Sequence, residues 1–136
     1  MKLLSPAISR LARWRFWSIE QWMQNAHAVQ HEVWQDLLAA GQFTEFGRLY
    51  DFSSIQSVQQ FKQRIPIQDY DNLKPYIDRM MVGEDNVLWN TPVAWFAKSS
   101  GTTSDRSKFI PISQESLKEN HYRASKDVLS LYYATH

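Results

Sequence analysis

The sequence predicts an α+β fold, mostly helical with one short β-hairpin. Three observations point there. Apolar residues recur every three or four positions along the first forty residues, which marks one face of a helix. A second periodic run, Leu117, His121, Ala124, Val128, Leu129 and Tyr132, closes the chain in the same way. Between them lie two short runs with β-branched and aromatic members, residues 93–97 and 108–112, separated by a polar loop.

In chain order, Ile8, Ala12, Phe16, Ile19, Met23, Ala26, Val33 and Leu37 share a helical face that starts after Ser5-Pro6 and stops at Gly41. This reads as one long bent helix or two in series. Thr44-Glu45-Phe46-Gly47-Arg48 is a short turn or helical start. Ser57 is placed to cap a helix over Val58 to Gln63. Pro66 keeps Ile65 extended, and Asp69 is placed to cap a helix from Tyr70 to Met81, with Pro75 near its start and Gly83 at its end. Asn90-Thr91-Pro92 is a turn. Val93-Ala94-Trp95-Phe96-Ala97 reads as a buried strand, and Lys108-Phe109-Ile110-Pro111-Ile112 as a second, closed by Pro111. Ser113 opens a helix that runs nearly to the end.

No repeat or linker is visible, so residues 1–136 are expected to form a single unit: helical over 5–83, strand, loop and strand over 92–112, helix over 113–134. Two short strands make a poor sheet alone, so they are expected to need partners from elsewhere in a longer protein.

Composition narrows the function classes. Fifteen basic and fourteen acidic residues leave a formal charge of +1, which gives no reason to expect nucleic acid as a partner. With no cysteine, disulfide scaffolds, thiolate metal sites and cysteine nucleophiles are excluded, and a cytoplasmic location is expected. No window approaches a membrane span, so no membrane partner is expected. His27 and His31 lack the glutamate and third ligand of a zinc helix and read as solvated. Phe16, Trp17 and Trp22 read as packing residues, and Tyr122, Tyr132 and Tyr133 as a core stripe. Asp78 is expected to pair with Lys74 or Arg79.

The loop Ser99-Ser100-Gly101-Thr102-Thr103, followed by Lys108, has the chemistry of a phosphate pocket. Gly101 admits close backbone approach, successive N–H groups can form an anion nest, and the hydroxyls add donors. Lys108, with Arg106, supplies positive charge. It is not a Walker A loop, because no second glycine precedes Lys108 and no Ser or Thr follows it. The bland alternative is a surface turn, for which these are also the ordinary residues.

Together with Lys108-Phe109-Ile110-Pro111, this run resembles the first nucleotide motif of the auxin-responsive acyl acid amido synthetase family. That family is a branch of the acyl-adenylate-forming superfamily, which includes firefly luciferase and acyl-CoA synthetases. Upstream, Phe61-Lys62, Ile65-Pro66-Ile67, Tyr70-Asp71, Lys74-Pro75-Tyr76-Ile77-Asp78-Arg79-Met80 and Gly83 resemble the same family's pattern. One departure is Asp105, where members often carry a second glycine.

The resemblance implies the amino-terminal part of a larger adenylation domain, inactive by itself, within an ATP-dependent ligase. A carboxylic acid attacks the α-phosphorus of ATP, with Mg2+ present, to give an acyl adenylate and pyrophosphate. An amine or amino acid then displaces AMP. Ser99, Ser100, Gly101, Thr102, Thr103 and Lys108 would bind the nucleotide phosphates by charge neutralisation, so no catalytic acid or base is expected among them. The remainder of the adenylation domain is the expected partner, and exposed Trp and Phe would favour self-association of the piece alone. The competing function is a non-catalytic helical interaction module whose Ser/Thr loop is a bare turn.

Overall fold

The computed structural model describes residues 6–99 and 107–135. Helices dominate, and the sheet is a two-stranded antiparallel hairpin, as the sequence predicts. The elements are α1 (Pro6–Gln24), α2 (Ala26–Gly41), α3 (Glu45–Leu49), a 3-10 turn (Phe52–Ser54), α4 (Val58–Arg64), α5 (Tyr70–Met81), β1 (Trp95–Lys98), β2 (Phe109–Ile112), a π-helical stretch (Ser116–Tyr122) and α6 (Arg123–Thr135). They group into two compact units, Met1–Val33 with Glu115–His136, and Trp34–Gln114.

The first unit holds α1 and the start of α2, two helices in series interrupted only at Asn25. Asn25 donates both its amide N–H (3.1 Å) and its side-chain Nδ2 (3.0 Å) to the carbonyl of Gln21. That competition from a short polar side chain is a local reason for the break. α6 packs on α1. Arg15 grips the Asp127 carboxylate with two hydrogen bonds, 2.5 and 2.9 Å, and both side chains are largely covered. The guanidinium groups of Arg15 and Arg123 both lie over the Trp22 ring, 4.4 and 4.3 Å from its centroid. Burial is thin here. Ala12 is the one buried apolar residue of this unit among those described, while Trp14 and Trp17 are 62% and 56% exposed. The expected tyrosine core stripe is not formed: Tyr122 and Tyr132 are exposed, as are Val128 and Leu129. The physical reason is that α6 meets α1 along one strip, and a helix covers only the face it packs.

In the second unit the core is Leu38, Ile55, Ile77, Met80 and Val87. Phe46 sits at the centre of an aromatic cluster, with ring centroids 4.8 Å from Tyr50, 5.9 Å from Tyr76 and 6.2 Å from Phe52. α2 stops at Gly41, but packing, not a left-handed backbone, explains the glycine. Thr44 donates its N–H (3.0 Å) and its hydroxyl (2.7 Å) to the Gly41 carbonyl, and its Oγ1 accepts from Gly47 N–H at 2.9 Å. Thr44 is therefore a buried cap for α3, whose remaining amides at Glu45 and Phe46 donate to the carbonyls of Asn86 and Val87. A Cβ at Gly47 would lie 1.9 Å from the Gly41 oxygen, so only glycine lets the two turns meet.

The caps expected at Ser57 and Asp69 are present, accepting from Gln60 N–H at 3.2 Å and Asn72 N–H at 2.8 Å. Pro75 stands beyond the first turn of α5; the carbonyl it cannot satisfy belongs to exposed Asp71, where water can serve instead. Asp78 pairs with Lys74 at 2.5 Å. Gly83, at φ 92°, ends the helix: Gly83 N–H donates to Met80 O and Glu84 N–H to Arg79 O, the paired closure that a left-handed glycine permits.

Candidate functional site

β1 and β2 pair with Trp95 opposite Ile112, Phe96 opposite Pro111, Ala97 opposite Ile110 and Lys98 opposite Phe109. One step further, Ser99 N–H donates to the Lys108 carbonyl at 2.9 Å, and Lys108 N–H donates to Ser99 Oγ at 3.1 Å. The two residues that bracket the polar loop are thus tied together. Pairing alternates along an antiparallel ladder, so Phe109 and Pro111 fall at positions whose N atoms face away from β1. That is why β2 continues through Pro111 instead of closing before it: the missing N–H costs no ladder bond. The strands are half-buried or exposed, not buried as their composition suggests, with Trp95 63% exposed. A lone hairpin has no second layer of its own.

The outward N–H of Phe109 donates to the hydroxyl of Tyr70 at 2.9 Å. The ring of the same tyrosine has the Lys108 ammonium 5.4 Å from its centroid, within cation–π range. Tyr70 is the first residue of α5, immediately after the Asp69 cap, so this helix end holds β2 by one side chain. Sequence reasoning assigned Tyr70 no role beyond a place in a family pattern. The available signal was an aromatic residue with a polar tip at a capped helix start.

Of the residues expected to bind phosphate, the structure brings Ser99 and Lys108 together at the base of the loop; Ser100, Gly101, Thr102 and Thr103 lie outside the described residues. Ser99 spends its N–H on Lys108, so its hydroxyl is what it can offer a ligand. That hydroxyl accepts one bond and keeps its proton to donate, which fits a phosphate oxygen. Among the described residues no group of three His, Cys, Asp or Glu could hold a metal ion, and no residue is assigned to magnesium. His27 and His31 are exposed, as expected.

Elsewhere in this unit the charges pair among themselves. Arg79 spans two carboxylates, reaching Glu45 at 2.6 and 3.0 Å and Glu84 through Nε at 2.8 Å and through Nη2. These bonds hold the carboxyls of Glu45 and Glu84 below the ordinary glutamate value and raise Arg79. Asp51 is lowered chiefly by hydrogen bonds from Ser54 and then Ser53.

The described residues thus form a hairpin closed by the Ser99 to Lys108 tie, beside the capped start of α5. The model of the GH3 family N-terminal domain matches residues 15–136, and the chain belongs to this family. It is similar to the indole-3-acetic acid-amido synthetase GH3.2 of Arabidopsis thaliana, 30% identical over 117 residues, which cover 84% of this chain and 21% of that protein. It is also similar to the jasmonoyl-L-amino acid synthetase JAR6 of Nicotiana attenuata, 31% identical over 97 residues, 71% of this chain and 17% of that one. Among solved structures, the AtGH3.15 acyl acid amido synthetase in complex with 2,4-DB matches with a TM-score of 0.79 at 25% identity, covering 98% of this chain and 23% of that chain. The chain spans about a fifth of the length of these relatives.

Proposed function

We propose that this chain supplies the ATP phosphate-binding loop of an acyl acid amido synthetase. The observation that carries the reading is the Ser99 to Lys108 tie at the base of a Ser/Thr/Gly loop, in a chain of the GH3 family. Relatives named as amido synthetases of indole-3-acetic acid and of jasmonic-type acids support the reaction class.

In this reading, Ser99 Oγ donates to a phosphate oxygen while its N–H keeps the loop closed, and Lys108 neutralises charge that grows on the departing pyrophosphate. Ser100, Thr102, Thr103 and the backbone at Gly101 add donors around the same phosphates. ATP, as substrate, offers the α-phosphorus: a carboxylate oxygen bonds to it, the bond to pyrophosphate breaks, and an amine later displaces AMP at the acyl carbon, releasing its proton to solvent. The described residues supply orientation and charge, not proton transfer.

The test is acid-dependent ATP–pyrophosphate exchange by the native gene product carrying this chain, with magnesium and a panel that includes indole-3-acetate and aliphatic acids. Exchange that Lys108→Ala lowers by about tenfold or more supports the reading. A folded protein that exchanges with no acid would favour a helical interaction module and reduce the loop to a turn.

A further inference from the structure

We propose that the sheet grows on one side only: a further strand, from the part of the longer GH3-family polypeptide that this chain does not span, pairs with the outer edge of β1 at Phe96 and Lys98. The inference is independent of what the loop between the strands binds.

Pairing parity decides which backbone groups point where. Ser99 N–H donates to the Lys108 carbonyl at 2.9 Å, which makes residues 99 and 108 a bonded pair of the antiparallel ladder. With the observed register, Ala97 with Ile110 and Trp95 with Ile112 are then bonded pairs too. Phe96 with Pro111 and Lys98 with Phe109 are the pairs between them, whose backbone groups point away from the partner strand. The outer edge of β2 therefore carries Phe109 and Pro111, and that of β1 carries Phe96 and Lys98.

The two edges differ. On β2 the Phe109 N–H is taken by the Tyr70 hydroxyl at 2.9 Å, and Pro111 has no N–H to give. An incoming strand would find no donor there, so this edge is closed. On β1, Phe96 and Lys98 each hold out an N–H and a C=O, and among the described residues no hydrogen bond reaches them. Such a row of outward groups is a template for strand pairing.

Length and charge select the occupant. The AtGH3.15 structure matches 98% of this chain, yet the match is 23% of that chain, so most of that protein's fold has no counterpart here. A hairpin of two strands is marginal by itself and gains most from a third. Trp95 and Ile110 share one face of the hairpin and are both exposed, so a neighbouring strand with apolar residues on that face would extend an apolar surface. A second copy of this chain fits less well, because Lys98 stands exposed on the same edge, and an edge lysine opposes pairing between like strands.

The experiment is residue-resolved amide hydrogen exchange on the native gene product carrying this chain, at a concentration where sedimentation shows a monomer. Expected is exchange at Phe96 and Lys98 slowed by about 100-fold or more relative to unstructured peptide, comparable to Ala97 within the ladder. Rapid exchange at Phe96 and Lys98 beside a slow Ala97 would mean an open edge and overturn the proposal. Protection that appears only where the protein self-associates would make a second copy the occupant, and would overturn it as well. A pair of variants separates strand pairing from simple covering. Lys98→Pro removes an outward N–H and no ladder bond, whereas Lys98→Ala removes only the side chain. Lys98→Pro should lower Tm by about 5 °C or more below Lys98→Ala, or fail to fold where Lys98→Ala folds. Equal Tm in the two would show that the Lys98 N–H has no strand to serve, as at Pro111, and would overturn the proposal.

Discussion

In the unit Trp34–Gln114, five apolar residues are buried and an aromatic cluster gathers on Phe46; in the unit Met1–Val33 with Glu115–His136, only Ala12 is buried among the described residues. Length of helix does not explain the contrast, since α1 is the longest element of the chain and α3 spans 5 residues. What differs is how many directions the elements come from. The second unit surrounds its core with short helices, a 3-10 turn and a loop, and ties them by carbonyl and amide exchange at Gly41, Thr44, Asn86 and Val87. The first relies on a helix pair, joined along one strip with an ion pair and two guanidinium groups over one ring. A pair of helices buries one strip of each, and the rest stays open unless other structure covers it.

The contrast can be broken most forcefully at Gly47. Gly47→Ala forces a Cβ to within 1.9 Å of backbone oxygen that cannot move aside cheaply, and should cost the second unit about 3 kcal/mol or more. Amide exchange of α2, α3 and the 86–87 loop reads it; protection equal to wild type would show that the Gly41–Gly47 contact is not what locks this unit. A smaller effect is expected at Arg15. Arg15→Ala removes the partner of a largely covered Asp127 and one of the two cations over the Trp22 ring, at about 1–2 kcal/mol, and should speed exchange in α1 and α6. An unchanged rate would assign the cohesion of the helix pair to its apolar strip.

The smallest effect is a pH dependence in the second unit. Glu45 and Glu84 have folded values lowered below 4.5 by Arg79. Their contribution is therefore present above the unfolded carboxyl value and is lost as pH falls through the lowered folded values. In Arg79→Ala, the loss of stability on acidification from about pH 5 to about pH 3 should be shallower than in wild type, with Asp51 retaining part of the slope. Denaturant unfolding at a series of pH values checks it, and identical slopes would show that these exposed pairs contribute nothing.

Much of the architecture was legible. Caps at Ser57 and Asp69, the closing Gly83 and the Lys74 to Asp78 pair all involve residues within a few positions of each other, where spacing alone decides whether a side chain can reach. The hairpin was legible too, though Pro111 was read as its stop; only the pairing parity reveals that its nitrogen faces outward. Burial was the least legible property. Tyr122, Val128, Leu129 and Tyr132 have helical spacing, but periodicity says which face is apolar, not whether anything covers it. The reason for Gly47 was equally hidden, because it depends on a turn six residues earlier folding back onto it.

The sequence by itself determined the helices, their caps, the two strands and a loop whose residue types suit phosphate, because each of these depends on local reach, backbone preference and side-chain chemistry. Only the tertiary structure decided that Ser99 and Lys108 are tied to each other, that Tyr70, 39 residues before Phe109, accepts the outward amide, and that one unit has a core while the other has a strip. Those relations join residues far apart in the chain, and the energy that selects them comes from contacts that exist only once the elements have docked.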